Sequence, residues 1–444
     1  MLGGTGWLGR AIVRDLIAEG ADVTCLARGD SGDVPGGARL IKVDRRAAGA
    51  YESVRGEWDE VIELSYEPDL VGPALDVLAD GAAHWTLVST VSVYASNDEP
   101  DADESASLVE PVDLSEYADA KVAAERSSAA RVGSRLLIAR PGLIVGAGDP
   151  SDRFGYWPAR LSRGGPILVP MSEGRSVQVI DVGDLAAWIG GVGRAGSTGV
   201  VNAVGEVVAM GEFFRSVISV TGYDGELVEV EDEVLLAQDV HYWAGPRSLP
   251  LWLPLSDASF ARRSAQAFQE TGGRTRSLEV TVTEVLADEV SRGVDRPRRS
   301  GLSAFEERTV LLNVRSPIGC RTSASGNSDQ RDRFVLMSAT PAKMAPMTAR
   351  AALAMTHGLK KLSPLRTRDV IVSTWDRTSK DPTRIVVPRG HGRFFSSSSL
   401  TAPSWTVPGA AARLDRGSSF GTSRPPVCAE NRTVRPCAGQ GGHG

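Results

Sequence analysis

The sequence is poor in long apolar runs, in cysteine and, over most of its length, in lysine. Every apolar run is interrupted by Pro, Gly or a charged residue well short of the roughly 18 residues a membrane-spanning helix needs. Residues 1–20 contain no signal-peptide apolar stretch, so a cytoplasmic protein with no membrane partner is the expectation. Four cysteines in 444 residues are too few and too scattered for a disulfide framework. Cys25 stands alone early, and Cys320, Cys428 and Cys437 show no C-x-x-C spacing that would mark a zinc site. Residues 1–312 hold only two lysines, Lys42 and Lys121, against 27 arginines. That scarcity makes the place of each lysine informative.

What is present falls into two regimes. The formal net charge of −6 is the sum of two unlike parts, residues 1–312, with 29 basic and 48 acidic residues, and residues 313–444, with 20 basic and 7 acidic. Up to about Leu312 the chain alternates helical and strand-like segments. Leu8, Ile12, Leu16 and Ile17 mark one face of a helix that Gly20 can end, and "ADVTCLA" follows as a short buried strand. Further strands are expected at "DEVIEL", "HWTLVST", "SRLLIARPGLIV" and "GVVNAV", with helices around Pro73–Ala79 and Ala118–Ala130. Alternation of this kind predicts an α/β fold with a doubly wound parallel sheet.

From Asn313 onward no period of 2 or 3.6 persists, and all seven tyrosines lie earlier. This basic tail, residues 313–444, is expected to be disordered, because it offers too little apolar surface to offset the entropy of ordering. A nucleic-acid-binding arm is a second reading of its charge, and an extension read past the natural end of the gene is a third.

The first ten residues, "MLGGTGWLGR", carry glycines at Gly3, Gly4, Gly6 and Gly9, followed by the helix. Such a loop lets backbone N–H groups and a helix N-terminus approach a pyrophosphate, with Trp7, Leu8 and Arg10 at its edge. A strand should precede it, yet only Met1 and Leu2 do. The expectation is a truncated first strand, an impaired domain and a natural start further upstream. About 20 positions past the loop, where a carboxylate would hold the ribose 2'-hydroxyl of NAD, stand Ala27 and Arg28. A guanidinium there, with Arg10 nearby, favours NADP over NAD. Asp44, after "LIKVD", either bonds the adenine or caps a turn.

"SEYADAKVAAE" sets Tyr117 and Lys121 four apart, on one face of a helix. An ammonium beside a phenol lowers the phenol's pKa from about 10 towards neutrality and can hold a ribose hydroxyl. Tyr117 could then pass a proton to or from a substrate oxygen. The strand end "LVSTVSVYA" adds three hydroxyls, Ser89, Thr90 and Ser92.

Glycine loop, strand-end hydroxyl and Tyr-x-x-x-Lys, in that order, resemble the extended short-chain dehydrogenases/reductases of the NAD-dependent epimerase/dehydratase type. The resemblance implies that Thr90, four before Tyr94, is the catalytic hydroxyl beside Tyr117 and Lys121. It implies that "ARPGLIVGAGD", with Pro141, passes under the nicotinamide, and that "VQVIDVGDLAAW" returns the chain to the main domain. The implied organisation is a Rossmann-type domain over residues 1–150, rejoined by 176–205, and a smaller C-terminal substrate domain over 151–312. "DPSDRFGYWPARL" supplies Asp152, Arg153, Tyr156 and Trp157 as candidate substrate contacts or as interdomain packing, and "HYWAGPRSLPLWLP" reads as pocket wall or core. The implied function is an NAD(P)-dependent oxidoreductase or epimerase acting on a hydroxyl or carbonyl of a small molecule, nucleotide sugars included, working as a monomer or homodimer. The alternative is a dinucleotide-binding sensor without catalysis, or an RNA-associated protein.

Overall fold

Leu2 explains how the glycine loop is anchored without a full strand before it. The computed structural model describes residues 1–315, and the expectations for the tail fall almost wholly outside that range. Leu2 donates its N–H to Ile62 O at 2.8 Å and accepts from Leu64 N at 3.2 Å, while Met1 O accepts from Leu26 N at 3.0 Å. It thereby bridges two parallel strands, β1 (Thr24–Ala27) and β3 (Trp58–Glu63). With β2 (Arg39–Lys42), β4 (Ala82–Val88), β5 (Leu136–Pro141) and the later β9 (Gly199–Ala203), the sheet runs β2–β1–Leu2–β3–β4–β5–β9, all parallel. Between the early parts of β1 and β3 lies a narrow slot bordered by Val54, Trp58, Val61 and Leu78. The Met1 ammonium is buried at its mouth, donating to Thr24 O at 3.0 Å, and burial lowers its pKa.

Apolar residues cover both faces of this sheet. On one side α1 (Trp7–Ala18) packs against α5 (Val182–Ala195), burying Ile12, Val13, Leu185 and Ile189. On the other, α2 (Pro68–Leu78) packs against α3 (Tyr117–Val132), burying Val71, Leu75 and Ala124. The second helix starts at Pro68 rather than near Pro73, because Pro suits the first turn, where no intrahelical N–H bond is made. The run "SRLLIARPGLIV" is two strands, since Gly142 separates β5 from β6 (Leu143–Val145), and β6 joins a different sheet.

That second sheet, β10–β8–β6, pairs β6 with β8 (Ser176–Asp181) and β8 with β10 (Val207–Ala209). Around it the smaller lobe collects α4 (Arg153–Ser162), α6 (Met210–Thr221) and α7 (Asp232–Ala237), then α9 (Leu278–Arg292) and α10 (Ala304–Arg315), whereas α8 (Gln266–Glu270) returns to the main sheet and packs Phe268 against Trp188 of α5. Two parallel pairs complete it, β7 (Ile167–Pro170) with β11 (Leu227–Val230) and β12 (His241–Trp243) with β13 (Ser248–Pro250). Its core is strongly aromatic, with Phe154, Tyr156, Trp157, Phe213, Phe214 and Trp252 all buried. Among the described residues no helix is long and apolar enough to cross a membrane.

Candidate active site

The strand order reverses at Leu2, and the residues of interest gather where the neighbouring strands end. In open α/β sheets such a reversal leaves a crevice outside the carboxyl ends of the strands, which is where ligands bind. Gly3 begins the loop there with φ +100°, a conformation L side chains seldom adopt. A Cβ on Gly9 would meet the Gly3 carbonyl oxygen and come within 2.9 Å of Gly4 Cα. Glycine at position 9 is therefore what lets α1 lie against the loop. The helix N-terminus has Gly6 as its cap, with no side-chain hydrogen bond and no acidic residue in the first turn. Its backbone donors and partial positive charge are open to an anion, so the cradle fits a dinucleotide pyrophosphate.

The loop is tied to both sides of the crevice. Arg10 donates to Thr5 O at 2.6 Å and to Ser31 O at 2.8 Å, joining it to the segment after β1. Trp7, whose neighbour Leu8 is half-buried, donates its indole N–H to Ala147 O at 2.8 Å, joining it to the segment after β6. Arg28 follows β1, is largely exposed, and pairs with Asp30 at 3.1 Å. Asp44 accepts from Arg46 N at 3.0 Å, so in this structure it caps a turn. Pro141 ends β5 and is buried.

Tyr117, Thr90 and Lys121 come together from α3 and the end of β4. Thr90 opens a one-turn 3-10 helix, accepting from Ser92 N at 3.1 Å, and its side chain is hydrogen-bonded to that of Tyr117. Burial pushes the Tyr117 phenol up to about 12, opposed by the Thr90 bond and by the positive charge of Arg153. Lys121 is buried too, and its ammonium, lowered by burial to about 8, donates to Val88 O at 2.6 Å. It lies 4.9 Å from the ring centre of Tyr66 and 5.9 Å from that of Tyr117. The expectation that Lys121 lowers the Tyr117 pKa is thus corrected: Thr90 and Arg153 oppose the rise, while Lys121 sits on a carbonyl and against two aromatic faces.

Several contributors escaped the sequence reading. Tyr66, two residues beyond Leu64, whose amide bonds Leu2 O ahead of the loop, meets Tyr117 edge-on at 5.1 Å. Glu125 is buried one turn beyond Lys121, accepts from Ser89 and forms a two-pronged pair with Arg140, at 3.0 and 2.7 Å. Arg140 also donates to Tyr94 Oη at 3.0 Å. This network braces the strand end that carries Thr90. Glu125 continues the Tyr117, Lys121 spacing by four, so helical periodicity was a usable signal for it.

Of the four residues read as substrate contacts or as interdomain packing, Arg153 is the one whose charge is felt at Tyr117. Tyr156 and Trp157 are each 1% exposed within the aromatic core, with Trp157 donating to Pro250 O at 2.8 Å. Asp152, at φ +59°, gives its carboxylate to Arg296 and to Arg299 N, the latter at 2.9 Å. It is a clamp that fixes the start of α4, and so the origin of the Arg153 side chain. Arg153 itself is half-buried, its pKa lowered by burial against the opposing negative charges of Asp149 and Tyr117.

A glycine loop thus lies at the switch point of the doubly wound parallel sheet, with a Tyr–Thr–Lys group at the strand ends and a smaller lobe beyond. Solved structures share this fold. The chain is similar to a protein from Burkholderia cenocepacia J2315 assigned as an epimerase, with a TM-score of 0.51 and 19% identity over 65% of this chain and 97% of that one. It is also similar to UDP-N-acetylglucosamine 4-epimerase from Bacillus cereus, with a TM-score of 0.50 and 15% identity over 67% of this chain and 96% of that one. At these identities the likeness is one of fold. No protein-family model and no curated protein matches the sequence.

Proposed function

We propose that this protein is a nicotinamide-dinucleotide-dependent oxidoreductase or epimerase acting on a hydroxyl or carbonyl group of a small molecule, with NADP(H) preferred. The observation that carries this reading is the hydrogen-bonded pair of half-buried Tyr117 and buried Thr90, at the strand ends on the side of the sheet where the glycine loop lies. The dinucleotide, when bound, supplies hydride transfer. Gly3, Gly6 and Gly9 would admit its pyrophosphate, Lys121 would hold a ribose hydroxyl, and Arg28, released from Asp30, would meet a 2'-phosphate.

Tyr117 moves the proton. A phenol held at about 12 is protonated at neutral pH, ready to donate to a carbonyl oxygen as that oxygen becomes an alcohol. In the opposite direction the phenolate accepts the alcohol proton, and the Thr90 hydroxyl and the nearby cation Arg153 favour that anion. Thr90 holds the same substrate oxygen.

The test compares wild type with Tyr117→Phe, measuring NADPH and NADH binding by fluorescence and turnover on alcohols, aldehydes, ketones and sugar nucleotides. Removing one proton-transfer group should lower turnover roughly 100- to 10,000-fold with dinucleotide affinity unchanged. A wild type that binds neither dinucleotide, or a variant as active as wild type, would overturn the reading.

A further inference from the structure

Arg153 differs from the arginines that staple the two lobes internally. Arg45, Arg140 and Arg160 are buried, and each is locked to a buried carboxylate, of Glu63, Glu125 and Glu307 respectively. Arg153 has no ion pair among the described residues. Its Nε donates to Ser151 Oγ at 3.1 Å, and that hydroxyl in turn donates to Asp149 Oδ2 at 2.8 Å. The relay fixes the root of the guanidinium and leaves Nη1 and Nη2 without a hydrogen bond among the described residues.

The guanidinium carbon lies 5.3 Å from the centre of the Trp243 ring. Trp243 is 4% exposed, and its own indole N–H is buried with no hydrogen-bond partner. Its backbone is held at φ +67°, a conformation costly for a bulky residue and one that such sites retain for a purpose. Unused donors thus sit on two groups in contact, a half-buried cation without an ion pair and a buried, strained tryptophan. A buried indole N–H normally finds a partner, and one oxyanion could serve both groups.

We propose that Arg153 and Trp243 form an anion subsite beside Tyr117, and that the substrate carries a carboxylate or phosphate close to the carbon that is oxidised or reduced. The placement relative to the reacting carbon rests on the redox reading of Tyr117; the subsite itself does not. The planar guanidinium fork suits a bidentate oxyanion, and the Ser151–Asp149 relay aims it.

The experiment titrates the full chain, with and without NADPH, by calorimetry and tryptophan fluorescence. Malonate and methyl phosphate are the anionic probes, with malonamide and trimethyl phosphate as neutral controls. Wild type should bind at least one anion at about 1 mM or tighter and neither control, and the preferred anion tells a carboxylate site from a phosphate site. Arg153→Gln should weaken that anion roughly tenfold or more, as expected for a lost charge-assisted pair. Arg153→Lys should recover part of the affinity, since it restores charge without the fork. Thermal melting of both variants separates loss of the site from loss of the fold. Equal anion binding by wild type and Arg153→Gln, or no anion binding by wild type, would overturn the proposal. Anion binding without any dinucleotide binding would support the subsite and defeat the redox reading instead.

Discussion

At the level of single residues, the Tyr117–Lys121 spacing was legible because helical geometry brings positions four apart onto one face. How the pair is polarised was not legible. It depends on depth of burial and on Tyr66 and Arg153, which arrive from the segment after β3 and from α4. Lys121 yields a pH prediction of definite sign. Its folded pKa, lowered to about 8 from 10.5, means that the unfolded chain binds more protons between those values. Folding stability of wild type relative to Lys121→Met should therefore rise as pH increases from about 8 to about 10.5, and be flat below that window. Urea denaturation of both proteins at pH 7, 8, 9 and 10 checks this, and a difference that falls with pH contradicts it. The cluster Asp152, Arg153, Tyr156 and Trp157, open in sequence to substrate contact or to packing, divides between the two for a related reason. Only the first turn of α4 borders the crevice, and the next turn is already inside the lobe.

Among elements, α1 and its loop were the clearest in sequence, since four glycines ahead of an amphipathic run leave few other readings. Two other features were hidden. Nothing local reveals that Trp7 reaches Ala147, 140 residues away. A continuous apolar run likewise does not show that Gly142 hands the chain from one sheet to another. Gly9→Ala tests the element directly. Its Cβ would oppose backbone, which cannot swing aside as a side chain would. The variant should lose about 1–3 kcal/mol of stability together with most dinucleotide binding, measured by urea titration and by NADPH fluorescence. Unchanged NADPH affinity would remove the loop from the cofactor site.

On the scale of the whole described molecule, the alternation of strands and helices gave the α/β layering, whereas ion pairs that tie remote parts of the smaller lobe, Arg296 with Asp152 and Arg160 with Glu307, were invisible because their partners lie far apart in sequence. Glu289 of α9 is 1% exposed and meets Arg292, Arg296 and Arg298, while Arg296 also holds Asp152 at the start of α4. Removing that carboxylate strands several cations. Glu289→Gln should cost roughly 3–5 kcal/mol and loosen the base from which Arg153 projects. Denaturation together with methyl phosphate and malonate titration would detect both effects, and a variant of wild-type stability would show the cluster to be dispensable.

The last described helix sets where a shortened version of this protein can be cut. Glu307 of α10 carries both the Arg160 guanidinium and the Leu168 amide, the latter at 3.1 Å. Ending the polypeptide before that carboxylate would orphan a cation inside the aromatic lobe. A trimmed gene for crystallisation or assay should accordingly keep every codon through Arg315.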